Sequence, residues 1–300
     1  MKNLFNSACC VLAIVLSVLT HWCAQAEPLH ILLTNDDGIE APGLKAVETA
    51  LGEAGYRLSV VAPRTQQSAT SMKVTTKKLS FEQLAETRWA VDGTPADAVA
   101  VALDLFLAED SPDFIVSGAN FGQNLGSNTN LSGTVGAALM GMQMGVPGIA
   151  VSVGMFMDES ALKPTRFPST MTSFKPAAEF TVRLLRAIEK TRSDAAAPLL
   201  PANIILNVNY PALSSDKVKG PRLATVARRG GFVAKYVPQE NNTELKITLL
   251  HEKRLDTGVA NADIELFSDG YITISVLNGY LGASRDADTA IENRLFEFLK

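Results

Sequence analysis

The chain has 300 residues, of which 47% are hydrophobic, and its 27 Lys and Arg against 31 Asp and Glu give a formal net charge of −4. This length supports a large core, and the mildly acidic balance argues against a nucleic-acid polymer as a partner. Cys9, Cys10 and Cys23 all lie within the first 26 residues, so the chain beyond them is predicted to use neither disulfides nor thiolate chemistry.

The first 26 residues have the pattern of a secretory signal peptide. Lys2 supplies a positive start, residues 9–19 form an apolar run, and Ala24-Gln25-Ala26 is a small-x-small cleavage motif. A membrane anchor is disfavoured because the apolar run is too short to cross a bilayer. We therefore expect cleavage after Ala26, an exported protein that is periplasmic or secreted, and no membrane attachment after cleavage.

The first predicted strand ends in a pair of adjacent carboxylates. Ile31–Leu33 is an apolar run typical of a strand buried on both faces, and Asn35-Asp36-Asp37-Gly38 follows it. Pro42 then begins a helical pattern. Asp36 and Asp37 should therefore lie at the carboxyl edge of a sheet, where ligands bind and where a cation relieves the repulsion of two negative charges. Taken alone, the four residues favour a plain turn.

Strands and helices keep alternating up to about residue 210. The patterns predict strands over 57–62, 114–117, 148–153 and 203–208, helices over 93–108, 133–144 and 174–190, a β excursion within 72–91, and loops over 118–131 and 155–172. This alternation is typical of an α/β fold in which crossover helices join parallel strands. We read residues 27–300 as a single domain.

The pattern changes beyond Pro211. Residues 223–227, 232–237, 245–250 and 271–276 are strand-like and partly alternating, and residues 285–299 are helical. They suggest antiparallel hairpins rather than further parallel units. We expect a β-rich C-terminal extension from about residue 211 that acts as an oligomerisation arm.

Three loops that follow predicted strands should bring polar side chains to the same edge. They carry Asp36 and Asp37, then Ser68, then the segment Ser117–Gly126 with Asn120. Two carboxylates, a hydroxyl and an amide oxygen form a shell suited to Mg²⁺, Mn²⁺ or Ca²⁺. The glycines of the third loop match neither the dinucleotide fingerprint nor a P-loop.

A candidate phosphate site follows the third loop. Ser132-Gly133-Thr134 begins a predicted helix, and the free N–H groups at a helix start attract anions. Plain N-capping by Ser132 explains these residues at least as well. A cation beside a phosphate points to metal-assisted phosphoryl chemistry, in which Asp36 orients or deprotonates the attacking water.

Two other mechanisms fit the sequence less well. Haloacid-dehalogenase-type phosphatases use Asp-x-Asp, which places both carboxylates on one side of the chain, whereas Asp36 and Asp37 are adjacent. A Ser-His-Asp hydrolase is disfavoured because the chain has no Gly-x-Ser-x-Gly motif, and neither His30 nor His251 is placed at this edge.

The motifs together resemble the SurE survival-protein nucleotidases. The resemblance rests on Asn-Asp-Asp-Gly and Ala-Pro-Gly (35–38, 41–43), Val-Ala-Pro with a Ser loop (61–68), Gly-Thr-Pro-x-Asp (93–97), Ser-Gly-x-Asn-x-Gly-x-Asn-Leu-Gly (117–126) and Ser-Gly-Thr-Val (132–135). It is strong from Leu29 to Val153 and loose beyond.

This resemblance implies a three-layer α/β sandwich with a Rossmann-like, mostly parallel sheet. It implies a phosphatase that hydrolyses nucleoside 5′- and 3′-monophosphates with one Mg²⁺ or Mn²⁺ per subunit, and a homodimer or homotetramer that exchanges its C-terminal hairpin and helix. By position, the metal ligands are Asp36, Asp37, Ser68 and Asn120; the catalytic residues are Asp36, Asp37 and Asn120; and the phosphate or substrate residues are Asn35, Asn124, Ser132, Gly133 and Thr134.

Some features depart from the family pattern. Many members carry an Asp and a His near the C-terminus, whereas residues 276–284 contain neither, and the commonly acidic stretch is uncharged here at 127–130. The family is usually cytoplasmic, unlike an exported chain. Two alternatives therefore stand: a broad-specificity acid phosphatase or short-chain polyphosphatase, and a nucleotide-binding protein without turnover.

Overall fold

A computed structural model describes residues 27–194, 197–229, 232–239, 244–251, 258–280, 285–296 and 298. Within them the strands are β1 His30–Thr34, β2 Arg57–Pro63, β3 Phe81–Ala85, β4 Arg88–Val91, β5 Phe114–Phe121, β6 Gly148–Val153, β7 Ile205–Tyr210, β8 Pro221–Ala224, β9 Phe232–Pro238, β10 Leu245–His251 and β11 Ile272–Leu277. The predicted signal peptide, residues 1–26, lies outside the described residues.

The α-helices of the described chain are α1 Pro42–Glu53, α2 Pro95–Val101, α3 Gly133–Gln143, α4 Pro168–Lys190, α5 Asp263–Ser268 and α6 Arg285–Leu295. Short 3₁₀ or π turns cover Ala102–Phe106, Gly126–Leu131 and Met157–Ala161. No helix in the described ranges is long and apolar enough to cross a membrane.

The helix starts follow from local sequence. Pro95 occupies the first turn of α2, and the Thr94 side chain accepts a hydrogen bond from the Asp97 N–H while Asp97 accepts from the Thr94 N–H. Ser132 caps α3 by accepting from the Val135 N–H at 3.1 Å. These caps satisfy backbone N–H groups that have no partner inside a helix. Each cap fixes the point at which a loop enters its helix.

A nine-stranded sheet has the order β3-β4-β2-β1-β5-β6-β7-β11-β8. From β4 to β7 the neighbouring strands are parallel, which confirms the predicted α/β fold. Parallel strands all end at the same edge, and the sheet order reverses beside β1. The ends of β1, β2 and β5, which carry the predicted site, are therefore neighbours.

Helices cover the sheet on both sides, as a three-layer fold requires. On one face, helices α1 and α4 pack against sheet residues such as Leu33, Val116 and Val151 and form one hydrophobic core. Helices α2 and α3 cover the other face, where Leu32 and Ile115 belong to a second core. At about 25 cal/mol per Å² of apolar surface removed from water, these two cores supply most of the favourable free energy of folding.

The structure corrects several sequence-based boundaries. Strand β5 continues to Phe121, through a segment predicted as a loop, and helix α4 begins at Pro168 instead of residue 174. Of the helix predicted over 93–108, only Pro95–Val101 is α-helical, and a π turn follows. Helix α5 was not predicted.

The C-terminal extension only partly forms hairpins. Strands β9 and β10 make a separate antiparallel pair, as expected. Strand β11 instead joins the main sheet antiparallel to β7, and β8 runs parallel to β11 at the edge. The prediction of hairpins throughout this region was therefore wrong for β8 and β11, because alternation of side chains does not reveal which strands pair.

Candidate metal and phosphate site

The turn after β1 holds Asp36 in the interior. Asp36 is only 3% exposed, and its Oδ1 accepts a hydrogen bond from the Thr134 hydroxyl at 2.7 Å. Asn35 shapes the turn, because its Nδ2 donates to Gly38 O at 2.9 Å and its Oδ1 accepts from the Gly38 N–H at 3.2 Å. Both polar atoms of the Asn35 side chain thus serve the turn, and its predicted contact with substrate stays a prediction.

Asp37 points to the end of the neighbouring strand. The Phe121 backbone N–H donates to its Oδ2 at 2.8 Å. Phe121 is the last residue of β5, so this hydrogen bond joins the turn after β1 to the end of β5, where Asn120 lies. The two adjacent carboxylates are therefore oriented by different elements, Asp36 by the start of α3 and Asp37 by β5.

Burial makes both carboxylates hard to ionise together. Burial raises the pKa of Asp36, while the Thr134 hydroxyl and nearby backbone N–H groups, including that of Gly133, oppose the rise. The pKa of Asp37 is raised to about 7 by burial and, second, by the negative charge of Asp36, against the Phe121 hydrogen bond. A bound cation favours the charged form of both carboxylates, so the pair is a candidate cation site.

Asn120 precedes Phe121, the residue that donates to Asp37. Its Nδ2 donates to Gly122 O at 2.6 Å, whereas its Oδ1 has no hydrogen-bond partner among the described residues although Asn120 is only 7% exposed. The register of β5 against β6 shifts between Ser117 and Asn120, and this irregularity re-aims the strand end. A buried amide oxygen without a donor is costly unless something else binds it.

The loop after β2 also reaches Asp36. The Gln67 N–H donates to the Asp36 backbone oxygen at 2.6 Å. Ser68 itself is exposed, and its hydroxyl accepts from Gln66 Nε2 at 2.7 Å. The structure therefore places the Ser68 loop at the site, whereas the role of its hydroxyl as a metal ligand stays a prediction.

The start of α3 packs directly on Asp36. A Cβ on Gly133 would lie 2.9 Å from Asp36 Cβ and 3.0 Å from Oδ2, so only glycine lets the helix approach this closely. Ser132 caps the helix, and the Thr134 hydroxyl is taken by Asp36. Of the predicted phosphate residues, Gly133 and Thr134 thus pack on Asp36, and the contact of the set with phosphate stays a prediction.

The family model for survival protein SurE matches residues 31–231, which include all of these loops. The chain belongs to the SurE family.

Individual relatives agree with this membership. The chain is 35% identical over 260 residues to 5′-nucleotidase SurE of Thermosynechococcus vestitus, covering 83% of this chain and 90% of that protein. It is 36% identical over 253 residues to 5′-nucleotidase SurE of Gemmatimonas aurantiaca, covering 83% and 92%. Its fold is similar to the crystal structure of SurE protein from Aquifex aeolicus, with a TM-score of 0.69, 26% identity, and coverage of 88% of this chain and 98% of that chain.

The residues of this SurE chain fit a divalent cation. Within the described residues there is no group of three or more His, Cys, Asp and Glu side chains that could hold a metal ion. The candidate set is instead two carboxylates with the unpaired amide oxygen of Asn120. Such oxygen ligands, completed by water and substrate oxygens, suit Mg²⁺ or Mn²⁺ better than Zn²⁺.

The sequence reading missed polar residues on later strands of the SurE fold. Asn124 Nδ2 donates to Ser152 Oγ at 2.8 Å, and Asn207 and Asn209 bind the Asn124 main chain. The buried Asp263 accepts from the Gly126 N–H at 2.8 Å. The two asparagines inside the otherwise apolar strand Ile205–Tyr210 were a usable clue, because a polar residue in a buried strand needs a partner.

Replacing Thr134 by valine is expected to weaken binding of Mn²⁺ about tenfold. Valine keeps the shape of threonine but removes the O–H that donates to Asp36 Oδ1. The Asp36 carboxylate then loses the hydrogen bond that orients it and that opposes the rise of its pKa on burial. Isothermal titration calorimetry with Mn²⁺ alone measures the effect, and Thr134→Ser should restore most of the affinity.

Thr181→Val is the matched control for this substitution. Thr181 is equally buried, at 0% exposed, and its hydroxyl donates to Ala177 O inside α4. Its Mn²⁺ affinity should equal that of the unmodified chain. Equal Mn²⁺ affinity in Thr134→Val would contradict the role given to Thr134.

Proposed function

We propose that this chain is a divalent-metal-dependent phosphomonoesterase that hydrolyses nucleoside 5′-monophosphates, and 3′-monophosphates, to nucleoside and phosphate. One observation carries the proposal: buried Asp36 contacts the start of helix α3, and half-buried Asp37 accepts from the N–H of Phe121, the residue after Asn120, whose Oδ1 has no partner among the described residues. The name of its SurE relatives, 5′-nucleotidase, supports the substrate class.

The proposed cofactor is one Mg²⁺ or Mn²⁺ per subunit, held by Asp36, Asp37, Asn120 and Ser68. When bound, such an ion polarises a phosphoryl oxygen and lowers the pKa of a water molecule. Ser68 completes the set if its exposed loop rotates the hydroxyl away from Gln66. The hydroxyl is on the surface, so this rearrangement disturbs no buried contact.

The chain's own residues position the reactants in this proposal. Asn124, Ser132, Gly133 and Thr134 hold the phosphate at the start of α3, where backbone N–H groups favour negative charge. Asp36, fixed by Thr134, orients the attacking water and accepts its proton. The water oxygen bonds to phosphorus as the ester bond breaks, and the departing ribose oxygen takes up a proton from solvent water, while Asp36 later returns its proton to solvent.

Phosphate release from nucleotides should require both a divalent ion and Asp36. After chelation, release from a panel of 5′- and 3′-nucleotides should stop, and added Mn²⁺ or Mg²⁺ should restore it. Asp36→Asn should lower kcat/KM about 100-fold or more, because it removes charge at the centre of the site. The exposed Asp104→Asn is the control and should behave like the unmodified chain.

The same assay separates the alternatives. Equal kcat/KM for p-nitrophenyl phosphate and nucleotides indicates a broad-specificity phosphatase. Metal-dependent binding of nucleotide without release of phosphate indicates a binding protein. Release that survives both the chelator and Asp36→Asn would show that the carboxylate pair is only a turn, and the proposal would fail.

We propose a homodimer or homotetramer built through the C-terminal extension. Apolar side chains of the β9–β10 hairpin and of the C-terminal region around α6 are 39–85% exposed, namely Tyr236, Val237, Leu245, Ile247, Ile291, Leu295, Phe296 and Phe298. Large apolar side chains left exposed on such elements are typical of an interface. A second copy of the same chain can cover them.

Ile247→Asp is expected to shift the assembly toward monomer in sedimentation velocity, because the new charge cannot be buried in an interface. Leu105→Asp is the matched control, since both side chains are 61% exposed and Leu105 lies in the π turn after α2. If the unmodified chain is a monomer, or if Ile247→Asp leaves the assembly unchanged, the proposal that the C-terminal extension forms the interface is contradicted.

We propose that residues 1–26 direct export and are removed, as their sequence pattern suggests. The protein recovered from cells that express the full chain should then begin at Glu27. Intact-mass spectrometry measures this directly. A recovered protein with the mass of the uncleaved chain would contradict export by this route.

A further inference from the structure

Two asparagine side chains of β7, Asn207 and Asn209, form hydrogen bonds with the main chain of Asn124 in the candidate phosphate loop. The Asn124 N–H donates to Asn209 Oδ1 at 2.7 Å, and Asn209 Nδ2 donates back to Asn124 O at 3.1 Å. Asn207 Nδ2 donates to the same carbonyl at 2.9 Å. Both side chains are fully buried, at 0% exposed. We call these three hydrogen bonds the asparagine clamp.

The strand pattern explains why two asparagines act together. Residues two apart on a strand share a face, so Asn207 and Asn209 project with Ile205, which packs in a small core with Val135 and Ala138 of α3. Buried amide groups without partners destabilise a fold. Here the main-chain N–H and C=O of Asn124 pair Asn209 Oδ1, Asn209 Nδ2 and Asn207 Nδ2, whereas Asn207 Oδ1 has no partner among the described residues.

The clamp acts where the loop has lost its strand partners. Strand β5 ends at Phe121, and the following residues lead into the 3₁₀ turn Gly126–Leu131. A backbone N–H and C=O in such a segment need other partners. Asn209 supplies an acceptor for the Asn124 N–H and a donor for the Asn124 C=O, as a neighbouring strand does. These two hydrogen bonds fix the main chain of Asn124.

We infer that Asn207 and Asn209 are positioning residues for phosphate binding, which they serve by fixing the main chain of Asn124. The inference rests on the proposed role of Asn124 in holding phosphate. The Asn124 amide carries two N–H groups, and one donates to Ser152 Oγ at 2.8 Å. The other N–H donates to no described residue and can bind a phosphate oxygen, and the clamp determines where it lies.

The clamp is separate from the candidate metal ligands. Asp36 is held by Thr134, Asp37 by the Phe121 N–H, and Asn120 by Gly122 O. None of these hydrogen bonds involves β7. Loss of the clamp should therefore weaken phosphate binding and leave cation binding intact, which a general loss of structure would not do.

Asn209→Leu is the first test, with Mn²⁺ alone and inorganic phosphate in excess Mn²⁺ as probes. Calorimetry should show phosphate affinity about tenfold weaker, because two hydrogen bonds are lost and a buried N–H is left unpaired. Mn²⁺ affinity should stay within about twofold of the unmodified chain. Asn207→Leu, which removes one of the two donors to Asn124 O, should give a smaller loss of about threefold.

Thr273→Val is the matched control. Thr273 lies directly opposite Asn209 on β11, is equally buried at 0% exposed, and its hydroxyl has no partner among the described residues. Valine has nearly the same shape, so both affinities should be unchanged. Equal losses of Mn²⁺ and phosphate affinity in Asn209→Leu would overturn the inference, as would unchanged phosphate affinity.

A double-mutant cycle with Asn124→Ala tests whether the clamp acts through the Asn124 side chain. In the Asn124→Ala background, Asn209→Leu should cause no further loss of phosphate affinity, and KM for the nucleotide should follow the same pattern. Additive losses would mean that Asn209 acts by another route. If Asn209→Leu does not fold, Asn207→Leu replaces it in the cycle.

Hydrogen exchange makes the test independent of catalysis. The peptide that contains Asn124 should exchange faster in Asn209→Leu than in the unmodified chain or in Thr273→Val, because the Asn124 N–H has lost its acceptor. Faster exchange in a chain that hydrolyses no nucleotide would uphold the clamp and reject the proposed function. Unchanged exchange would reject the clamp even in an active enzyme.

Discussion

Mutual repulsion between two neighbouring carboxylates is the constraint on which the rest of this structure depends. Asp36 and Asp37 cannot point the same way, so the fold separates them: α3 takes one through Thr134, and β5 takes the other through the Phe121 N–H. Glycine at 133 lets the helix reach Asp36 at all. The proposed divalent cation would relieve the remaining repulsion, with Asn120 Oδ1, which has no partner among the described residues, as its proposed uncharged ligand.

Much of this arrangement could be predicted from local sequence. Apolar runs such as Ile31–Leu33 specify buried strands, and Thr94-Pro95 specifies a helix start, because burial and capping depend on residues only a few positions apart. A parallel sheet then dictates that the strand ends share one edge. These two facts predict that Asp36, Asp37 and Asn120 converge, and in the structure Asp37 accepts a hydrogen bond from the Phe121 N–H, one residue beyond Asn120.

The rest depends on pairings between distant parts of the chain. Thr134 is 98 positions from Asp36, and Asn209 is 85 positions from Asn124, so no local pattern connects them. The strand-like sequence of β8 does not state that its neighbour is β11. Thr134 and Asn35 were predicted to contact phosphate or substrate, and that contact stays a prediction. The hydrogen bonds of their side chains to Asp36 and to the turn were not predicted, because local motifs show which residues gather and not which atoms pair.

The most direct measurement is the crystal structure of the chain grown with Mn²⁺, with the ion located by its anomalous scattering. The account predicts one peak per subunit, within about 2.2 Å of carboxylate oxygens of Asp36 and Asp37 and of Asn120 Oδ1. A peak bound by other residues, or Asn120 Oδ1 left unpaired beside a bound ion, would contradict it.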